Sequence, residues 1–131
     1  DLMGGHIDFV SDNLFSSIPN IKAGRIRALA VTSKKRSIIF PEIPSVAEAG
    51  FSNFEVVGQF GLVVPAGTPR EVGQRLNQAL NKVVSSPEVS RQILGQGGEP
   101  ATSTPEEFDL LMRNESTKWL QVIREANIKP E

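Results

Sequence analysis

The chain has 131 residues, 39% hydrophobic and 22% charged, which suits one ordinary globular domain and leaves little room for two complete ones. Lys and Arg total 14 against 15 for Asp and Glu, a formal charge of −1, so nothing electrostatic points to nucleic acid or an anionic membrane as partner. Cysteine and tyrosine are absent and His6 is the sole histidine, which excludes disulfides, thiolate nucleophiles and Cys-based metal sites and leaves few general acids.

No apolar stretch approaches the roughly 20 residues of a membrane-spanning helix. The opening Asp1-Leu2-Met3-Gly4-Gly5 has neither a basic n-region nor an apolar h-region, and no export signal is read there. It resembles the last turn of a helix running into a Gly stop. The chain is therefore expected to be a fragment of a longer protein.

His6 to Ser11 alternates polar and apolar residues and predicts a short strand. Asp12-Asn13 signals a turn or N-cap, and Leu14 to Ala23 a short helix, kinked near Pro19 and ended by Gly24. Arg25 to Thr32 predicts a second, buried strand, so that strand, helix and strand form a βαβ unit of a parallel sheet. Ser33 to Pro44 is a loop that begins with the basic run Lys34-Lys35-Arg36. Ser45-Val46-Ala47-Glu48 has capping-box spacing, with Gly50 placed to stop a helix of about one turn. Phe54 to Val64 is strongly β-forming but broken by Gly58 and Gly61, which suggests a bulge or a bend.

The remainder predicts helices with well-marked starts. Thr68-Pro69-Arg70-Glu71 places an N-cap, a Pro at the first helical position and a Glu at the third, before an apolar face of Val72, Leu76, Ala79, Leu80 and Val83. Ser86-Pro87 starts a shorter helix, stopped by Gly95 or by Gly97-Gly98. Thr104-Pro105-Glu106-Glu107 repeats the cap pattern ahead of the longest helix, whose stripe of Phe108, Leu111, Met112, Trp119, Val122 and Ile123 is expected to pack as core.

Reactive constellations are scarce. His6 and Asp8 share a strand face, but no nucleophile accompanies them, and one His with scattered carboxylates has no metal-ligand spacing. Gly95-Gln96-Gly97-Gly98 follows a helix, whereas phosphate-cradling loops follow a strand, so it is expected to be a helix stop and turn. The Lys34-Lys35-Arg36 run suits a solvated loop better than an acidic partner. Asp12 and Asn13 stand where a strand gives way to a helix, the place at which open α/β sheets hold ligands. Amides at such a helix start favour an anion, but plain N-capping is the simpler explanation of the pair.

Several stretches, in their order and spacing, resemble one family. They are Gly4-Gly5-His6-Ile7-Asp8 leading to Asp12-Asn13, Ile21 to Ser33 with Gly24-Arg25-Ile26-Arg27-Ala28-Leu29-Ala30-Val31-Thr32 at its centre, Ile43-Pro44-Ser45-Val46-Ala47-Glu48-Ala49-Gly50, and Phe60-Gly61-Leu62-Val63-Val64-Pro65-Ala66-Gly67-Thr68-Pro69. Gly97-Gly98-Glu99-Pro100, Thr104-Pro105-Glu106 and Trp119 are weaker echoes. The resemblance is to the substrate-binding proteins of tripartite tricarboxylate transporters, the Bug or TctC-type receptors.

That resemblance implies an α/β fold, part of a two-lobed periplasmic-binding-protein-like architecture with a helical C-terminal segment. Residues 1–57 would end the second, ligand-binding lobe, and 58–131 would supply a crossing strand and helices that return to the first. It implies a periplasmic, non-enzymatic receptor without metal or cofactor, which takes small carboxylates (dicarboxylates, tricarboxylates or amino acids) and hands them to a membrane permease. Ser11, Asp12 and Asn13 are the ligand-contact candidates, with Gln59 and Phe60 at the hinge. Ser11 and Gln59 depart from the family's usual apolar or aromatic residue and Trp, which bears on the ligand rather than the fold. The segment alone is expected to bind poorly and to form a dimer or domain-swapped assembly. An effector-sensing domain of a transcription regulator and a small α/β enzyme are the alternatives.

Overall fold

The structure is a computed structural model that describes residues 1–129. After a 3-10 turn at Leu2–Gly4 come four helices: α1 Leu14–Lys22, α2 Arg70–Val84, α3 Pro87–Gly95 and α4 Pro105–Glu125. The chain divides into two compact units. One comprises Asp1–Val63 with Ser90–Pro100, the other Val64–Val89 with the residues from Ala101 onward.

In the first unit, α1 follows the sequence closely. Asn13 takes extended dihedrals at its N-cap, Pro19 lies inside the helix and Gly24 ends it at φ 66°. Pro19 cannot donate a hydrogen bond, but its carbonyl still accepts from the Ala23 amide at 3.0 Å, so the last turn closes. Ile18 carries the buried face of α1 into a small core with Phe40 and Ile43, around which Leu14, Ile21, Ala28, Val31 and Ile39 pack.

The loop after residue 32 is held by polar bonds. Ser45 is fully buried; its hydroxyl donates to the Lys34 carbonyl at 3.2 Å and accepts from the Glu48 amide at 3.2 Å. The Glu48 carboxylate accepts from the Ser45 amide at 2.8 Å, which completes the expected reciprocal cap around one turn ended by Gly50 at φ 108°. Arg36 Nε meets both Glu48 oxygens at 3.0 Å, and its Nη1 donates to the Pro41 carbonyl. Lys34 lies 3.6 Å from Glu55. Two of the three cations in the basic run therefore engage carboxylates of their own unit.

The predicted strands need correction. Among the described residues, the segments at 6–11, 25–32 and 54–64 form no β-ladder; pairing is limited to a parallel bridge between Val31 and Ser45. The Val31 amide donates to the Pro44 carbonyl, the Val46 amide to the Val31 carbonyl and the Val56 amide to the Thr32 carbonyl, each at 2.9 Å. Alternation in sequence specifies an extended chain with two faces. A ladder also needs a neighbour about 4.8 Å away, and most of these segments have none.

In the second unit, α2 and α4 pack together. Asn77 and Asn81 on α2 donate to the Ser103 carbonyl just before α4, at 2.8 and 3.0 Å, and Arg70 lies 3.3 Å from Glu106. The cap of α4 is as predicted: Thr104 Oγ1 accepts from the Glu107 amide at 3.1 Å, while the Glu107 carboxylate accepts from the Thr104 amide at 2.8 Å. The start of α2 differs. Pro69 is itself the N-cap and Thr68 makes no cap bond. Gly67, at φ 87°, turns the chain so that both the amide and the hydroxyl of Thr68 donate to the Pro65 carbonyl.

The predicted core stripe of α4 is also corrected. Phe108 and Leu111 are half-buried, whereas Met112, Trp119, Val122 and Ile123 are exposed, because among the described residues nothing covers that part of the helix. Trp119 Nε1 donates to Glu115 at 2.9 Å and Lys118 Nζ stands 5.2 Å from the ring centre.

Candidate functional site

The candidate site is the start of α1. Asn13 occupies the N-cap position, yet its side chain makes no cap bond. Asp12 organises the turn in its place. Its Oδ1 accepts from the Asn13 amide at 2.8 Å, and its Oδ2 accepts from the hydroxyls of Ser16 at 2.8 Å and Ser17 at 3.0 Å. The hydrogen bond from Ser16, then that from Ser17, then that from the Asn13 amide hold the Asp12 carboxyl below its usual range.

The amides of Ser16 and Ser17 both donate to the Asn13 carbonyl. Those of Leu14 and Phe15 have no acceptor among the described residues. The first amides of a helix have no acceptor within it, and the helix dipole there favours negative charge. Such donors can take a carboxylate oxygen each.

Two glycines from distant parts of the same unit stand beside this turn. A Cβ on Gly58 would lie 3.4 Å from Asn13 Oδ1. A Cβ on Gly97 would lie 3.2 Å from the Phe15 nitrogen and 2.7 Å from Ile18 Cδ1. Ser11, Asp12 and Asn13 are neighbours by chain continuity, and Gly58, the neighbour of Gln59, stands beside Asn13. Gln59 and Phe60 themselves are exposed, Phe60 at 93%, and neither side chain has a hydrogen bond or ring contact among the described residues.

Among the described residues no hydrogen bond or ion pair joins His6 to Asp8. The His6 ring lies over Gly4, with Cδ2 at 3.0 Å from where a Gly4 Cβ would be. Among the described residues there is no cluster of potential metal ligands and no helix long and apolar enough to cross a membrane. Sequence reasoning missed the Asp12–Ser16–Ser17 arrangement, although the spacing of an acid ahead of two hydroxyls at a helix start was there to be read. It also missed Gly97, which no local signal connects to α1.

Comparison with known proteins bears on what such a site serves. The family model for the tripartite tricarboxylate transporter family receptor, TctC, matches residues 1–128. The chain belongs to this family. Among its relatives, a UPF0065 protein from the tcbD-tcbE intergenic region of a Pseudomonas species is 40% identical over 129 residues, covering 98% of this chain and 38% of its own length. Protein BugT of Bordetella pertussis is 32% identical over 129 residues, covering 98% and 40%. A solved structure, R. palustris Rpa4515 with adipate, superposes with a TM-score of 0.80 at 33% identity, covering 92% of this chain and 40% of that one. The TctC chain described here thus spans about two fifths of the length of these relatives.

Proposed function

We propose that this chain is the later part of an extracytoplasmic solute-binding receptor that captures small carboxylates in the periplasm and delivers them to the permease of a tripartite tricarboxylate transporter. Membership of the TctC family supports the receptor class, and the adipate carried by the R. palustris relative supports a dicarboxylate as ligand. The observation that carries the reading is the pair of open amides at Leu14 and Phe15, fixed by a turn that already satisfies its own carboxylate.

In this reading a ligand carboxylate accepts from those two amides. Asn13, with an unused side-chain amide, and Ser11 add polar contacts, Asp12 fixes the turn, and Gln59 and Phe60 line the hinge. Residues 1–57 belong to one lobe of an α/β clamp and 58–131 to the crossing strand and the helices beyond it. Closure of two lobes buries the ligand and gives the permease a two-state signal. Binding and release need no reactive side chain. The exposed apolar faces of the isolated chain favour association with a second copy.

The test is a chimera in which this chain replaces the matching two fifths of R. palustris Rpa4515. Adipate and a panel of other di- and tricarboxylates are expected to raise its melting temperature by several degrees, since ligand at a hundredfold excess over Kd contributes about 2.7 kcal/mol. A folded chimera that no carboxylate stabilises would overturn the proposal.

A further inference from the structure

We propose that the cleft between the end of α1 and residues 42–43 docks an acidic segment of a protein partner, held by Arg25 and Arg27. This does not rest on the carboxylate reading of α1, and its test leaves that reading untouched.

Charge is unevenly spread along the chain. From Asn13 to Pro41 there are six Lys or Arg and no Asp or Glu, although the whole chain carries only −1. Lys34 and Arg36 are engaged by Glu55 and Glu48. Lys22, Arg25, Arg27 and Lys35 are exposed, and their side chains have no hydrogen bond or ion pair among the described residues. Of these four, Arg25 and Arg27 line a cleft of about 650 Å³ in the first unit. Half-buried Ile26 and buried Ile43 give it an apolar wall, and Glu42 is the one carboxylate that lines it.

A guanidinium offers a carboxylate a planar pair of donors, which an ammonium group cannot do. Two of them, two residues apart beside an apolar wall, suit two carboxylates with an apolar residue between them. The cleft is open to solvent, so it fits a segment laid across it better than a small solute that needs enclosure. A lipid surface would meet the cations but leave the apolar recess unfilled. Both arginines stay at the rim and in water, so each pair contributes modestly and acts chiefly on association rate and salt dependence.

The experiment titrates a blocked peptide with a Glu-Leu-Glu centre into the 131-residue chain, followed by amide resonances. Saturable shifts are expected at Ile26, Ala28 and Ile43, weakening as added salt shortens the range of the charges. Arg27→Gln should weaken the peptide on the order of threefold, and Glu42→Gln should tighten it by a similar factor. Lys35→Gln removes the same charge outside the cleft lining and should change little. Arg27 makes no side-chain bond, so its variant should fold; Arg25→Gln repeats the measurement at the second arginine.

No shifts, or equal binding of a peptide with Lys in place of Glu, would overturn the proposal. Equal effects of Arg27→Gln and Lys35→Gln would also overturn it, since only diffuse charge would then be at work. So would the same shifts from adipate at the same concentration, which would make the cleft a seat for free dianions. Shifts that appear without peptide as the protein is concentrated would assign the cleft to a second copy of the chain and overturn it as well.

Discussion

Replacing Thr104 by Ala should destabilise the protein by about 1 kcal/mol, inside the roughly 0.5–2 kcal/mol found for lost N-caps. The hydroxyl accepts from the Glu107 amide at 3.1 Å and donates to the Glu107 carboxylate at 3.0 Å, so Ala removes both bonds and leaves only that from the Thr104 amide. Thr68 precedes a Pro in the same local pattern, but its hydroxyl bonds to the Pro65 carbonyl and caps nothing. Thr68→Ala should therefore stay within about 0.5 kcal/mol, as exposed substitutions usually do. Urea denaturation of both variants checks this: the midpoint should fall clearly for Thr104→Ala, with an unchanged slope. If Thr68→Ala costs as much as Thr104→Ala, cap geometry is not what separates the two helix starts.

Acidification should weaken the fold. Asp12, Glu48 and Glu107 are held below the usual carboxylate range, by hydrogen bonds chiefly from Ser16, Arg36 and the Thr104 amide respectively. The unfolded chain therefore binds these protons at higher pH than the native one. Their contribution is complete above the ordinary values of 3.8 for Asp and 4.5 for Glu and is lost as pH falls through the lowered native values; a urea midpoint constant from neutrality to about pH 3 would contradict it. Phe40→Ala removes one of the buried residues of the first unit's core and should cost roughly 3–5 kcal/mol. Amide exchange at Ile21, Val31 and Val46 should then accelerate together, and acceleration limited to the neighbours of residue 40 would refute a shared core. Asp12→Ala removes the acceptor of the Ser17 hydroxyl and one of two acceptors of the Ser16 hydroxyl and should weaken adipate severalfold in the chimera, with unchanged affinity as the adverse result. Light scattering of the isolated chain should report association, and a clean monomer would count against the exposed faces acting as contacts.

What the sequence made legible was local. The caps at Ser45 and Thr104, the Pro within α1 and the stop at Gly24 depend on residues within a few positions of one another, and each is found where composition placed it. Thr68 is the instructive exception: the pattern was right, but the Gly67 turn gave its hydroxyl a nearer carbonyl. Nonlocal features were not legible. Nothing around Gly97 announces that it lies on α1, and nothing in the stripe of α4 tells whether another element covers Trp119. At the candidate site the sequence indicated the place, between an extended segment and a helix. It did not indicate that Asp12 would accept from Ser16 and Ser17 and that the Asn13 side chain would make no cap bond.

The same division bears on how the receptor reading should be weighed. The buried strand expected at 25–32 and the apolar stripe of α4 presuppose neighbours on their open sides, and relatives more than twice as long carry further residues from which neighbours can come. The turn at Asp12 presupposes none, because every bond that shapes it lies between residues 12 and 17. The hydrogen bonds of this turn are thus a property of the segment itself. Affinity is different, since a carboxylate held by two donors on one side stays largely in water and gains little over its hydration. A carboxylate resting on these amides, as proposed, should then bind weakly here and tightly only when a second surface closes over it, which is the behaviour expected of one jaw of a hinged receptor.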